Sequence, residues 1–181
     1  MSKFLVYITF LFLFLAGRAQ NIHQYWVQSI NGNSIPLSAF NGKKLLIVTL
    51  PIVKNASADS VLHAIDSIST AYSSSLKVIG FPAYEDGYTQ SISDSLFAWY
   101  KNILGSGVII SKAAYTHKRA GMDQHDVFKW LTRKELNQHV NKDVTGPLNK
   151  FIIYTNGQLA AVFEESTRFN SSAIKEILDM P

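Results

Sequence analysis

The spacing of apolar positions changes several times along the chain, and each change marks a boundary between elements. Tyr25, Val27 and Ser29 to Ile30 lead into Asn31-Gly32, a pair that tolerates positive φ in a two-residue hairpin turn, and Ile35 to Leu37 supplies the returning strand. Leu45 to Leu50 is a continuous run of strand formers, the pattern of a strand covered on both faces, and it is predicted to be central. Pro51 stops it. From a start near Ser57 or Asp59, Val61, Leu62, Ile65, Ile68 and Tyr72 recur at helical spacing. Leu76 to Phe81 predicts a second strand ending at Pro82. Ser93 is placed to cap a helix whose buried stripe is Leu96, Trp99, Tyr100, Ile103 and Leu104, closed by Gly105. Val108 to Ile110 is a third short strand, and Val127, Phe128 and Leu131 indicate a short helix. Phe151 to Tyr154, Asn156-Gly157 and Leu159 to Phe163 form an antiparallel hairpin, and Ile174, Ile177 and Leu178 close the chain with an amphipathic helix. Strands alternating with helices, then a hairpin and a last helix, predict a mixed three-layer α/β sandwich with an N-terminal hairpin and no internal repeat.

The N-terminus follows a different pattern. Lys3 precedes an apolar stretch from Phe4 to Ala16, and Gly17, Arg18 and Ala19 put small residues where a signal peptidase reads. The stretch holds 13 residues, whereas a helix crossing the bilayer needs about 20. Residues 1–19 are therefore expected to be a signal peptide and 20–181 the mature domain, periplasmic or extracellular, with a retained membrane anchor as the alternative. The 181 residues suit one domain.

Composition then narrows the chemistry. The chain contains no cysteine, which excludes a disulfide framework, a thiolate metal site, a thiol nucleophile and a lipid anchor on cysteine. The formal charge of +4 falls to about +2 once Lys3 and Arg18 leave with the signal. The remaining charges are scattered. Lys112, Lys118 and Arg119 are the densest basic group and lack the aromatic interleaving of a nucleic-acid surface, so no nucleic-acid partner is expected.

Four segments in order resemble the glutathione peroxidase branch of the thioredoxin fold. Gly32 and Leu37 with Gly42-Lys43-Lys44-Leu45-Leu46-Ile47-Val48 are similar to that family's opening hairpin and first buried strand. Val78-Ile79-Gly80-Phe81-Pro82 followed by Gly87 resembles its second strand and the loop after it. His125 with Val127, Phe128, Lys129, Trp130 and Leu131 is similar to its short helix, and Asn149-Lys150-Phe151-Ile152-Ile153 with Asn156-Gly157-Gln158 to its hairpin. The resemblance spans roughly residues 25 to 180 and implies a thioredoxin-like three-layer sandwich.

It also implies a site that this chain has lost. The family attacks peroxide with a cysteine or selenocysteine at the start of the first long helix, assisted by a glutamine, a tryptophan and an asparagine. Those positions fall here on Lys54, on Thr89 or Gln90, and on Gly146 and Pro147; Ala83 stands where some relatives carry a further cysteine. An ammonium cannot form the sulfenic or selenenic intermediate. The resemblance thus implies a noncatalytic member acting as a binding or interaction module without a cofactor. The alternative is a peroxidase-family oxidoreductase working through an unrecognised centre.

Other constellations are weaker. His117, Asp123, His125 and Asp126 fall within ten residues but show no HxH or HExxH spacing that would fix two ligands on one face, so they are read as a solvated connecting segment with one helix-leading histidine and no metal is expected. No GxSxG elbow is present. Trp26, Trp99 and Trp130 are expected to be core and rim aromatics, and Asn55-Ala56-Ser57 and Asn170-Ser171-Ser172 fit the glycosylation acceptor pattern. Lys54, Asn55, Ala56 and Ser57 lie where a helix begins, so its free N–H groups and a lysine could attract a small anion; the alternative, which the unfavourable placing of a cation at the positive helix end supports, is a flexible lysine on a polar loop. The partner is thus expected to be a small anion or a protein surface. Pro147, four residues before Phe151, is where a cis bond is expected as readily as a trans one.

Overall fold

The computed structural model describes residues 21–118 and 123–181; the expected signal peptide and Arg119 of the basic group lie outside them. A two-stranded hairpin, β1 (Trp26–Gln28) and β2 (Ser34–Pro36), precedes a five-stranded sheet of β3 (Lys44–Leu50), β4 (Leu76–Pro82), β5 (Val108–Ile110), β6 (Lys150–Ile153) and β7 (Leu159–Phe163). The helices are α1 (Ala56–Ala71), α2 (Ser93–Ile103), α3 (Asp126–Thr132), α4 (Lys134–Asn137) and α5 (Ser172–Asp179). Strand order is β5-β4-β3-β6-β7, with β3 parallel to β4 and antiparallel to β6. The run Leu45 to Leu50 is therefore central, as its composition requires, and every residue of β3 is buried.

The alternation of strand side chains sorts the core into two layers. Leu46, Val48 and Leu50 of β3 join Val78 and Ile152 in one layer, against Leu62 and Ile65 of α1, Leu96 and Tyr100 of α2, and Ile174 and Leu178 of α5. Leu45 and Ile47 face the other way with Ile79, Phe81, Phe151 and Ile153, against Phe128 and Leu131 of α3 and Val27 of the opening hairpin. Three layers result, mixed in strand direction, as predicted.

Several local predictions need correction. In both hairpins the glycine alone takes positive φ, Gly32 at 85° and Gly157 at 81°. Ser29 N–H donates to Asn33 O and Gly32 N–H to Ser29 O; Tyr154 N–H donates to Gln158 O and Gly157 N–H to Tyr154 O. Each loop is thus a three-residue turn with a glycine bulge, not a two-residue turn. Leu37 starts a 3-10 turn rather than ending β2. Helix α1 begins earlier than predicted because the Asn55 carboxamide accepts the Ala58 N–H at 2.9 Å. Ser93 does not cap α2: a 3-10 turn over Gln90–Ile92 already carries the chain into helical geometry, and Ser93 is the first α residue. Gly105 does not close α2 with a left-handed turn; Leu104 leaves in extended geometry and the Gly105 N–H donates to Asp66 Oδ1 of α1 at 2.7 Å. The described residues contain no cis peptide bond, so Gly146-Pro147 is trans.

Two lysines at strand starts are buried. Lys44 Nζ donates to the carbonyls of Leu178 and Met180, anchoring the C-terminal end of α5, where free carbonyls favour a cation. Lys150 Nζ donates to Leu148 O at 2.7 Å and Glu164 O at 3.0 Å, and lies 4.8 Å from the Phe169 ring centre. Burial pushes its pKa down to about 8, against an upward pull from Glu165.

Candidate functional site

Strand β3 ends at Leu50, and the chain turns through Pro51 to Asn55 into α1. Lys54, at the position of the expected nucleophile, is exposed and its Nζ donates to Ser95 O of α2 at 2.7 Å. Asp59, one turn further, accepts from Trp99 Nε1 at 2.7 Å. Tyr100 OH donates to Pro51 O at 2.7 Å, and burial, with Asp86 and Tyr88 nearby, raises its pKa. These contacts bind the start of α1 to α2. The Lys54 charge is committed to a carbonyl of α2, and Asn55 occupies the Ala58 N–H, while Ala56 and Ser57 stand exposed in the first turn.

On the other side of β3, residues 144–149 form a loop held by Thr49. The Thr49 hydroxyl donates to Gly146 O and accepts from Asn149 N–H, both at 3.0 Å, and the Asn149 carboxamide donates to Gly146 O at 3.1 Å. Gly146 has φ of 143° and Leu148, a residue with a Cβ, has φ of 62°. Pro147 is half-buried in this loop. Thr89 is exposed and shares a 2.9 Å hydrogen bond with Ser91, and Gln90 begins the exposed 3-10 turn before α2.

A groove of about 700 Å³ follows α1 from Ser57 to Tyr72 and is bordered by Leu148 and Phe169. A second, shallower cleft of about 750 Å³ lies between Tyr25, Trp26, His125 and Lys129. Trp26 is exposed there, whereas Trp130 is core.

Among the described residues no group of three His, Asp or Glu side chains lies close enough to hold a metal ion, and the described histidines of this segment have other surroundings. His125 Nδ1 accepts the Val127 N–H at 3.3 Å as the cap of α3, and its ring meets Phe81 edge-on at 5.3 Å. Burial lowers its pKa, with Asp126 opposing and Lys129 reinforcing the shift. Asp126 pairs instead with Lys129 at 2.8 Å.

One titratable cluster escaped the sequence reading. Glu85 accepts the Thr116 and His117 N–H groups at 3.1 Å, joining the loop after β4 to the loop after β5. Beside it Asp86 Oδ2, His117 Nε2 and Thr116 Oγ1 are buried without hydrogen-bond partners. Burial raises Asp86 to about 6, His117 works against the shift and Glu85 adds to it. Nothing in a run Tyr-Glu-Asp-Gly signals this, because the partner loop is about thirty residues away.

No protein-family model matches the chain, and no curated protein does either. Solved structures do. The crystal structure of Trgpx in apo form superimposes with a TM-score of 0.64 at 18% identity, covering 90% of this chain and 99% of that one. T. cruzi GPX1 gives 0.60 at 14% identity, covering 87% and 92%. A thiol:disulfide interchange protein of the thioredoxin family from Chlorobium tepidum TLS gives 0.57 at 12% identity, covering 89% and 97%. Glutathione peroxidases and thioredoxin-family proteins are thus its structural neighbours, and with its mixed five-stranded sheet and flanking helices the chain has the thioredoxin-like fold.

Proposed function

We propose that this is an exported binding protein on a thioredoxin-like scaffold, without a redox centre. The observation that carries the reading is Lys54: where the resembling family needs a sulfur or selenium nucleophile, this chain has an ammonium that donates to Ser95 O. Neither hydroxyls nor methionine thioethers can replace a thiolate in a peroxide cycle without external repair. The surrounding positions support the same conclusion. Gly146 and Pro147 carry no side-chain donor, and Gly146 O is already engaged by Thr49 and Asn149.

The test is a steady-state assay of the metal-free purified protein with hydrogen peroxide and either glutathione or a thioredoxin system. Consumption no faster than the buffer blank is expected. Robust turnover would overturn the reading in favour of an oxidoreductase with an unrecognised centre. Intact mass of the native exported protein, expected to begin at Gln20, tests the export part separately.

A further inference from the structure

The groove on α1 combines an apolar wall with unpaired positive charge. Its volume of about 700 Å³ lies within the usual range of small-molecule sites. From Ser57 to Tyr72 it follows most of α1, a rise of about 22 Å at 1.5 Å per residue. Val61, Ala64, Ile68, Leu148 and Phe169 form its apolar surface. The serines on that wall contribute little polarity, since Ser60 and Ser67 hydroxyls donate back to Ala56 O and His63 O of the helix.

The opposite lip carries Arg168 and Lys175. Both are exposed, and among the described residues neither side chain has a hydrogen bond or an ion pair. Lys175 sits in the first turn of α5, which has no acidic residue there, so a cation stands at the positive end of the helix dipole and, among the described residues, forms no ion pair. Lys150 adds a buried ammonium in the wall beside Phe169, and among the described residues that line the groove Glu165 is the sole acidic one.

We propose that this groove binds a free long-chain carboxylate, its head between Arg168 and Lys175 and its alkyl chain along α1 against Ala64, Ile68 and Phe169. Length and apolar lining favour an extended hydrocarbon over a compact anion, and the charge of the lip favours a carboxylate over an alcohol or amine. Occupancy by such a molecule would supply the ligand of the binding reading above and rests on it. Peroxide turnover would sink that reading alone, because calorimetry reports occupancy whatever the chemistry.

The experiment is titration calorimetry of the full chain with sodium laurate below its micelle concentration, with dodecanol, dodecylammonium and inorganic phosphate as comparison probes. Laurate is expected to bind at one site at least tenfold more tightly than each of the others. The double variant Arg168→Glu, Lys175→Glu should weaken laurate at least tenfold, and the milder Arg168→Gln, Lys175→Gln pair should weaken it in the same direction if charge reversal disturbs the fold. Ala64→Phe should block the tail. Absence of laurate binding, equal affinity for dodecanol, or unchanged affinity in both lip variants would overturn the proposal.

Discussion

The Thr49 hydroxyl joins the central strand to the loop before β6: it donates to Gly146 O and accepts from Asn149 N–H, each at 3.0 Å, with Thr49 itself fully buried. Thr49→Val keeps the shape and leaves one buried donor and one shared acceptor short of a partner. A loss of about 1 to 3 kcal/mol is expected, measured as a lower urea midpoint with unchanged slope. Because Asn149 O and Leu148 N–H still pair with the Thr49 backbone, the fold should survive.

Asp86 makes stability depend on pH in the direction opposite to most carboxylates. Its folded pKa of about 6 lies above the ordinary 3.8, so the folded state holds the proton more tightly. The resulting stability is fully present below about 3.8 and is lost as pH rises through 6. Asp86→Asn should therefore stabilise the protein at pH 8 by about 1 to 2 kcal/mol, less than the full shift implies because solvent reaches this loop. Denaturation of both proteins at pH 4, 6 and 8 checks it; a gap independent of pH would exclude this origin.

For Lys150 the sign reverses. Its folded pKa of about 8 is below the ordinary 10.5, so its titration favours the folded state at high pH and that contribution disappears as pH falls through 8. Relative to Lys150→Met, the native protein should gain stability between pH 8 and 10. Thermal melts of the pair across that window decide it, and parallel curves would contradict the buried amine.

Gly157 and Gly32 occupy equivalent turns, yet alanine should cost more at Gly157. Both glycines have φ above 80°, where a Cβ is strained by about 1 to 2 kcal/mol. At Gly32 the added Cβ meets nothing within 4 Å, whereas at Gly157 it would lie 1.9 Å from Asn21 Oδ1. Asn21 also donates to Asn156 O and accepts the His23 N–H, so that contact cannot yield freely. Melting temperatures of Gly32→Ala and Gly157→Ala should differ accordingly.

Lys54→Cys should not create a peroxidase. A thiol there would begin α1, but no side-chain donor stands at Gly146 or Pro147 to lower its pKa or bind the leaving oxygen. Peroxide consumption by this variant should remain at the rate of a free thiol.

Most of the strands and helices, the central place of Leu45 to Leu50, the positions of both hairpins and the lack of any thiol were legible in the residues alone, because period, turn glycines and residue counts are local properties; the four-residue helix α4 is too short to show a period and was not. The sequence also led, through four short segments, to the thioredoxin-like fold that the structural neighbours support. Caps were less legible: Ser93 looks like a cap until the preceding 3-10 turn is known, and Asn55 acts one turn ahead of the first apolar position. Tertiary structure alone decided that Lys44 and Lys150 are buried, that Lys54 turns to α2, and that Asp86 meets the loop of His117. It also decided that Ala64 and Ile68 share a groove with Arg168, about one hundred residues away in the chain. A side chain's charge state and accessibility depend on what other segments bring against it, and that information enters only when distant parts of the chain pack together.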